Sequence, residues 1–265
     1  MRRRRRFQLE ALESRLCLAG PQPYPGTPFA LPAGPWTSTP FVGSPIFADL
    51  NSDGKDELIT PVAGGKLMAF SYGPNGGIVP YQTYDTGVTG FNIKTTPVVV
   101  TMPNGRKAVF AALMGDEANP NSLTDGRVFG WDAQTGALLP GWPQDTGFAA
   151  PNQNHSGVIA PLASGDLDGD GTPEIVVASL SNFVTAYHLD GSVMWRVYTN
   201  DTNQSGPVIG DIDKDGKNEV VFGSDTSPGE FFQAGGFVNI YNWDGTPRYQ
   251  IHTDEVIWSS PVLVD

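Results

Sequence analysis

Gly165-Asp166-Leu167-Asp168-Gly169-Asp170-Gly171-Thr172-Pro173-Glu174-Ile175-Val176-Val177 sets acids at positions 1, 3, 5 and 9 of a loop, with glycine at position 6, directly before a β-branched run. The same spacing returns in Asp49-Leu50-Asn51-Ser52-Asp53-Gly54-Lys55-Asp56-Glu57, after Pro45-Ile46-Phe47-Ala48. It returns again in Asp211-Ile212-Asp213-Lys214-Asp215-Gly216-Lys217-Asn218-Glu219, after Pro207-Val208-Ile209-Gly210. A single Asp/Gly cluster is ordinary turn chemistry. Three with one ligand spacing, each between apolar strand formers, are an internal repeat.

Two partial copies extend the series. Thr96-Pro97-Val98-Val99-Val100-Thr101 has the leading strand, with Thr101 at the place of the first acid, and Ser260-Pro261-Val262-Leu263-Val264-Asp265 has the strand and its acid. Positions 49, 101, 166, 211 and 265 lie 52, 65, 45 and 54 residues apart. A period near 50 residues fits a four-stranded propeller blade. The second halves repeat too: Gly65 to Phe70, Gly126 to Trp131, Asn182 to Tyr187 and Gly236 to Tyr241 alternate apolar and polar residues and end in an aromatic. A turn such as Asp190-Gly191 or Asp244-Gly245 follows, then a strand such as Ser192 to Tyr198. The expected fold is therefore all-β, a propeller of four-stranded blades, with four blades and the start of a fifth.

The loop chemistry points to a metal. Carboxylate oxygens at positions 1, 3, 5 and 9 and a main-chain carbonyl at 7, without His or Cys, suit a hard cation. A large, adaptable oxygen shell favours Ca²⁺ over Mg²⁺, and glycine at position 6 permits the sharp reversal. The expected ligands are Asp49, Asn51, Asp53, the Lys55 carbonyl and Glu57; Asp166, Asp168, Asp170, the Thr172 carbonyl and Glu174; and Asp211, Asp213, Asp215, the Lys217 carbonyl and Glu219, about three Ca²⁺ sites in all. An EF-hand requires an acid at position 12 and flanking helices. Thr60, Val177 and Phe222 stand there instead, inside strand-forming runs, which excludes it.

Charge agrees with this reading. The net −12 conceals a basic start: within residues 1–20, Arg2 to Arg6 and Arg15 outweigh Glu10 and Glu13 by +4, leaving −16 on the rest. An acidic body disfavours nucleic acid as partner. The single cysteine, Cys17, excludes an intrachain disulfide. No run of about 18 apolar residues exists, so no membrane span is expected. Residues 21–40, rich in Pro, Gly and Thr, read as a linker.

The strand, loop and Val-Val-x-x-Ser or Val-Phe-Gly-Ser continuation resemble the FG-GAP (VCBS) repeats of integrin α-like propellers over roughly residues 41–265. Leu139-Pro140-Gly141-Trp142-Pro143 resembles the fourth strand of bacterial members. The resemblance implies a ring of about seven blades, of which this chain would be a fragment. The segment Leu9-Glu10-Ala11-Leu12-Glu13-Ser14-Arg15-Leu16 after polyarginine resembles the start of large extracytoplasmic proteins of planctomycete bacteria. It marks residues 1–20 as a targeting segment and implies an extracellular or cell-surface location. The expected role is a calcium-binding scaffold for protein or carbohydrate recognition or adhesion. The alternative is the propeller of a calcium-dependent polysaccharide lyase or another propeller enzyme.

Topology puts the acidic loops on one face of such a ring. The long inserts 85–94, 115–125, 144–156 and 224–235 fall on the other, where variable loops serve recognition. Phe231, Phe232, Trp258, Asn152 and Asn154 are the candidate contacts there, and His155 lies in the same region. His188, in a hairpin, reads as a turn residue. No G-x-S-x-G or H-E-x-x-H motif suggests catalysis.

Overall fold

The computed structural model describes residues 43–74, 76–88, 91–114, 126–147, 157–199, 201–226 and 234–264. The basic and Pro/Gly-rich segments at 1–20 and 21–40 lie outside them. Among the described residues there are seventeen strands and no helix, and none is a helix long and apolar enough to cross a membrane.

Four antiparallel sheets follow one another along the chain. The first runs β1 (Ile46–Ala48), β2 (Glu57–Val62), β3 (Lys66–Tyr72) and β4 (Ile78–Asp85), in that spatial order. The third is β10 (Ala163–Gly165), β11 (Glu174–Ala178), β12 (Phe183–Tyr187) and β13 (Val193–Tyr198); the fourth is β14 (Val208–Gly210), β15 (Glu219–Thr226), β16 (Gly235–Tyr241) and β17 (Pro247–Thr253). Each is a meander, so the turns joining strands one to two and three to four share one end. This is the propeller blade the repeat implied.

The second blade departs from the pattern. It contains β5 (Asn92–Ile93), β6 (Val98–Thr101), β7 (Lys107–Met114), β8 (Arg127–Asp132) and β9 (Gln144–Asp145), with both β5 and β6 pairing β7. The expected fourth strand at Leu139–Pro143 does not form. Leu138 makes one bridge to Trp131, and pairing resumes only at 144–145.

Three apolar clusters sit between successive blades and explain the strand composition. Along β7, Val109, Ala111 and Leu113 face the first blade, while Ala108, Phe110 and Ala112 face the third. In β11, Ile175 and Val177 face the second blade and Val176 and Ala178 the fourth. Side chains of a strand alternate between faces, so a sheet covered on both sides needs an unbroken apolar run, which is what these strands have.

A ring nitrogen or hydroxyl fastens each blade to the next. Tyr84 Oη donates to the Ala133 carbonyl (2.7 Å), Trp142 Nε1 to that of Leu189 (2.9 Å) and Trp195 Nε1 to that of Trp243 (2.8 Å). The acceptors sit in successive strand-three-to-four turns. The Trp195 ring covers Gly245, which has φ +80° and would place a Cβ 2.7 Å from the indole, so only glycine fits.

The fifth leading strand is not formed: 260–264 have no ladder pairing. Its side chain nevertheless takes the blade-to-blade position. A Cβ on Gly210 would meet Leu263, as one on Gly165 meets Ile209.

Candidate metal centre

The three acidic loops join strands one and two in the first, third and fourth blades and have one backbone design. Position 6 is left-handed in each, with φ of +82° at Gly54, +88° at Gly171 and +90° at Gly216. Position 4 is left-handed too: Ser52 at +61°, Gly169 at +80° and Lys214 at +64°. A non-glycine residue there costs on the order of 1–2 kcal/mol and persists only where surrounding contacts enforce it.

Those contacts are carboxylates accepting backbone N–H groups. Position 1 accepts from position 6: Asp49 from Gly54 (2.9 Å), Asp166 from Gly171 (2.8 Å) and Asp211 from Gly216 (3.0 Å). Position 5 accepts from position 7: Asp53 from Lys55 (2.9 Å), Asp170 from Thr172 (2.6 Å) and Asp215 from Lys217 (2.8 Å). Position 9 accepts from position 2: Glu57 Oε2 from Leu50 (2.9 Å), Glu174 Oε2 from Leu167 (2.9 Å) and Glu219 Oε2 from Ile212 (3.0 Å). Each glutamate is also the first residue of strand two, so its backbone is held by the sheet.

These bonds gather the acids. Oxygens of Asp166, Asp168 and Glu174 lie within 4.8 Å of one another, as do those of Asp211, Asp213 and Glu219. Two acidic clusters could therefore hold a metal ion. Asp170 and Asp215, at position 5, stand outside these clusters, bonded to the N–H of position 7. In the first loop the amide of Asn51 lies 3.3 Å from both Asp53 and Glu57.

Burial is uneven across each loop. Glu57, Glu174 and Glu219 are at most 1 % exposed, whereas the other acids face solvent in part or wholly. Burial pushes the Glu57 and Glu174 carboxyls above the ordinary range, with the Leu50 and Leu167 N–H groups opposing it. An ionised carboxylate in that setting needs a cation.

Part of the chain matches a known repeat. Residues 166–222 match the FG-GAP-like repeat. That FG-GAP-like repeat runs from the first acid of the second loop, through the third blade, to β15 of the fourth, and so contains both three-carboxylate clusters. No curated protein matches the chain. Among solved structures it is similar to BamB from Moraxella catarrhalis, at 17% identity and a TM-score of 0.57 over 88% of this chain and 56% of that one. It is also similar to the C-terminal domain of PilY1 from Pseudomonas aeruginosa, at 14% identity and a TM-score of 0.52, covering 84% and 52%. The chain thus spans about half the length of these two structures, and the likeness supports the β-propeller fold alone.

Strand pairing corrects one assignment outside the FG-GAP-like repeat. Ala48, Gly165 and Gly210 pair with the position-9 glutamates, and Thr101 pairs in the same way with Lys107. Thr101 is therefore the residue before the loop, and Met102 holds the place of the first acid. Only five residues separate Thr101 from Lys107, against eight in the other loops. The Met102 N–H donates to the Arg106 carbonyl (2.8 Å), closing a tight turn. Above it, Met102, Pro103, Leu139 and Leu189 line a shallow hollow of about 340 Å³.

Two neighbours of the acids escaped sequence reasoning. His188 is a turn residue, as expected, but its Nδ1 also lies 3.3 Å from Glu174 Oε1. Arg248 reaches Asp213 at 2.6 Å and Glu219 at 3.2 Å. Nothing local in sequence links 188 to 174 or 248 to 213; only the meander folds them together. Of the recognition candidates, Trp258 is exposed, whereas Phe231, Phe232, Asn152, Asn154 and His155 lie outside the described residues.

Proposed function

We propose that the chain is an extracytoplasmic, calcium-stabilised β-propeller scaffold that recognises a protein or glycan on the face opposite its acidic loops. One observation carries the calcium part: three loops in three blades share the same left-handed positions and the same N–H-to-carboxylate bonds. Asp49, Asn51, Asp53, the Lys55 carbonyl and Glu57 would hold one ion. Asp166, Asp168, Asp170, the Thr172 carbonyl and Glu174 would hold a second, and Asp211, Asp213, Asp215, the Lys217 carbonyl and Glu219 a third. The ion would neutralise the buried glutamate and fix the loop, with affinities of roughly 10⁻⁴ to 10⁻³ M, the range of extracellular modules. Recognition is assigned to the other face because the inserts 115–125, 144–156 and 224–235 accumulate there, while the acidic loops keep constant length.

The test is a calcium count. Native mass spectrometry should find three ions on the parent, two on Asp168→Ala and two on Asp213→Ala, with thermal melts in millimolar Ca²⁺ above those in chelator. Coincident melts refute the calcium role. For recognition, glycan and protein arrays are compared between the parent and a chain with 225–234 cut to a two-residue turn. Loss of a binding signal with the ion count intact is expected. Retention of that signal, with loss on bulky substitution of Leu139 or Leu189, moves recognition to the calcium face.

A further inference from the structure

The position-9 glutamates spend one oxygen identically and the other differently. Oε2 always takes the N–H of position 2. Oε1 faces the Asn51 amide in the first loop, the His188 ring in the second and the Arg248 guanidinium in the third. Arg248 also bonds Asp213, so its fork spans two of the three carboxylates gathered there. A guanidinium is a permanent charge with a fixed donor geometry suited to carboxylates. The residue at the same register in the third blade is Met194, which carries no charge.

Formal charge also sets the third loop apart, and grades the loops second, first, third. Residues 166–174 hold four acids and no base; 49–57 hold four acids and Lys55; 211–219 hold four acids, Lys214 and Lys217, before Arg248 is added. The second blade completes the series: Lys107 replaces the glutamate outright, its ammonium 2.6 Å from the Thr101 hydroxyl. A basic side chain and a metal-loop acid thus exchange roles at one register position of the fold.

We infer that Arg248 is a built-in counter-cation of the third loop, so that the loops take up calcium in the order second, first, third. This rests on the calcium reading above. Calcium entering the third loop must draw Asp213 and Glu219 away from Arg248, a permanent charge spanning two carboxylates, whereas in the second loop only the His188 ring faces Glu174 alone. Without calcium the third loop keeps its acids balanced, and the fourth blade keeps its shape.

Calcium chloride titrations of the full chain, followed by native mass spectrometry and calorimetry, test this on the parent, Arg248→Gln and Arg248→Lys. The parent should show one site weaker than the other two by roughly tenfold, and Arg248→Gln should tighten that site by a similar factor. Arg248→Lys, which keeps the charge but loses the fork, should fall between. In chelator, Arg248→Gln should melt below the parent. Three equal sites in the parent, or a weakest site unmoved by Arg248→Gln, overturn the order alone. Absence of calcium uptake at every loop overturns the calcium reading and the order with it, whereas a chelator melt unchanged in Arg248→Gln removes the counter-cation role by itself.

Discussion

Replacing Glu174 by glutamine separates a metal ligand from a merely buried acid. Glu174 is fully buried, accepts the Leu167 N–H at 2.9 Å and faces His188 at 3.3 Å. Glutamine preserves the shape, and its carbonyl oxygen can keep the Leu167 bond, so the substitution removes charge and little else. In chelator the parent carries a buried carboxylate whose pKa burial has raised, opposed only in part by the Leu167 N–H and the His188 ring. Glu174→Gln should then be no less stable than the parent. In 10 mM Ca²⁺ a site of roughly 10⁻⁴ to 10⁻³ M contributes about 1.4 to 2.7 kcal/mol by mass action. At about 2–4 °C per kcal/mol for a domain of this size, that is about 3 to 11 °C. Most of it should vanish in the variant, because a neutral amide replaces the most buried charged ligand. Differential scanning calorimetry of both proteins, with calcium and with chelator, gives four melting temperatures. An equal loss for Glu174→Gln in both conditions refutes the argument, because the glutamate would then be structural and indifferent to the ion.

Two further outcomes follow from the geometry away from the ions. Trp195→Phe keeps most of the ring but strands the Trp243 carbonyl; it should cost about 1 kcal/mol, roughly 2–4 °C on the melt, without changing the calcium count. Asp132 is buried, which alone would raise its pKa, but the Thr135 N–H and hydroxyl, Arg106 at 2.6 Å and the Gln134 N–H outweigh burial and hold it below the usual range. A lowered folded pKa stabilises above the unfolded value and is lost as pH falls through the folded one. Asp132→Asn should thus be less stable than the parent by about 1.5–3 kcal/mol at pH 7, with the gap closing as acid protonates the parent. A gap independent of pH would assign the loss to shape.

The repeat made most of this fold legible. Alternating apolar runs located the strands, and the ligand spacing located the three loops within a residue of where they lie. Reading failed where a blade loses its acids. Loop length is pinned only when carboxylates must meet, so the second blade could shorten its loop to five residues and slip the apparent alignment from Met102 to Thr101. β5 was invisible for a related reason: Asn92 and Ile93 form a two-residue strand specified by their pairing with Met114 and Leu113, not by any local pattern. Arg248 and His188 were missed because a partner two strands away is set by register, while sequence motifs register only near neighbours.

The loops also touch one another, which suggests why calcium would matter to a ring and not only to a turn. The Asn218 side chain donates to the Asp166 carbonyl, and its N–H donates to the Leu167 carbonyl at 3.1 Å. The eighth residue of the third loop therefore holds the first two residues of the second. Beneath them β10 packs against β14 and β6, the leading strands of the adjacent blades. The Trp142 and Trp195 indoles fasten turns at the same end of the sheets. Acidic loops, loop-to-loop bonds and indole bonds are thus concentrated at one end, where they fix the angle between blades. The turns joining strands two and three lie at the opposite end, which carries blade-to-blade bonds of its own, Gly64 N–H to Asn92 Oδ1 (3.3 Å) among them, but no acidic loop. They can vary in length without disturbing the sheets, as the 226-to-235 connection does beside the tight Gly64-Gly65 turn of the first blade. Under the proposal above, recognition would fall at the end without acidic loops, and the ions would act through blade geometry and not by touching the partner.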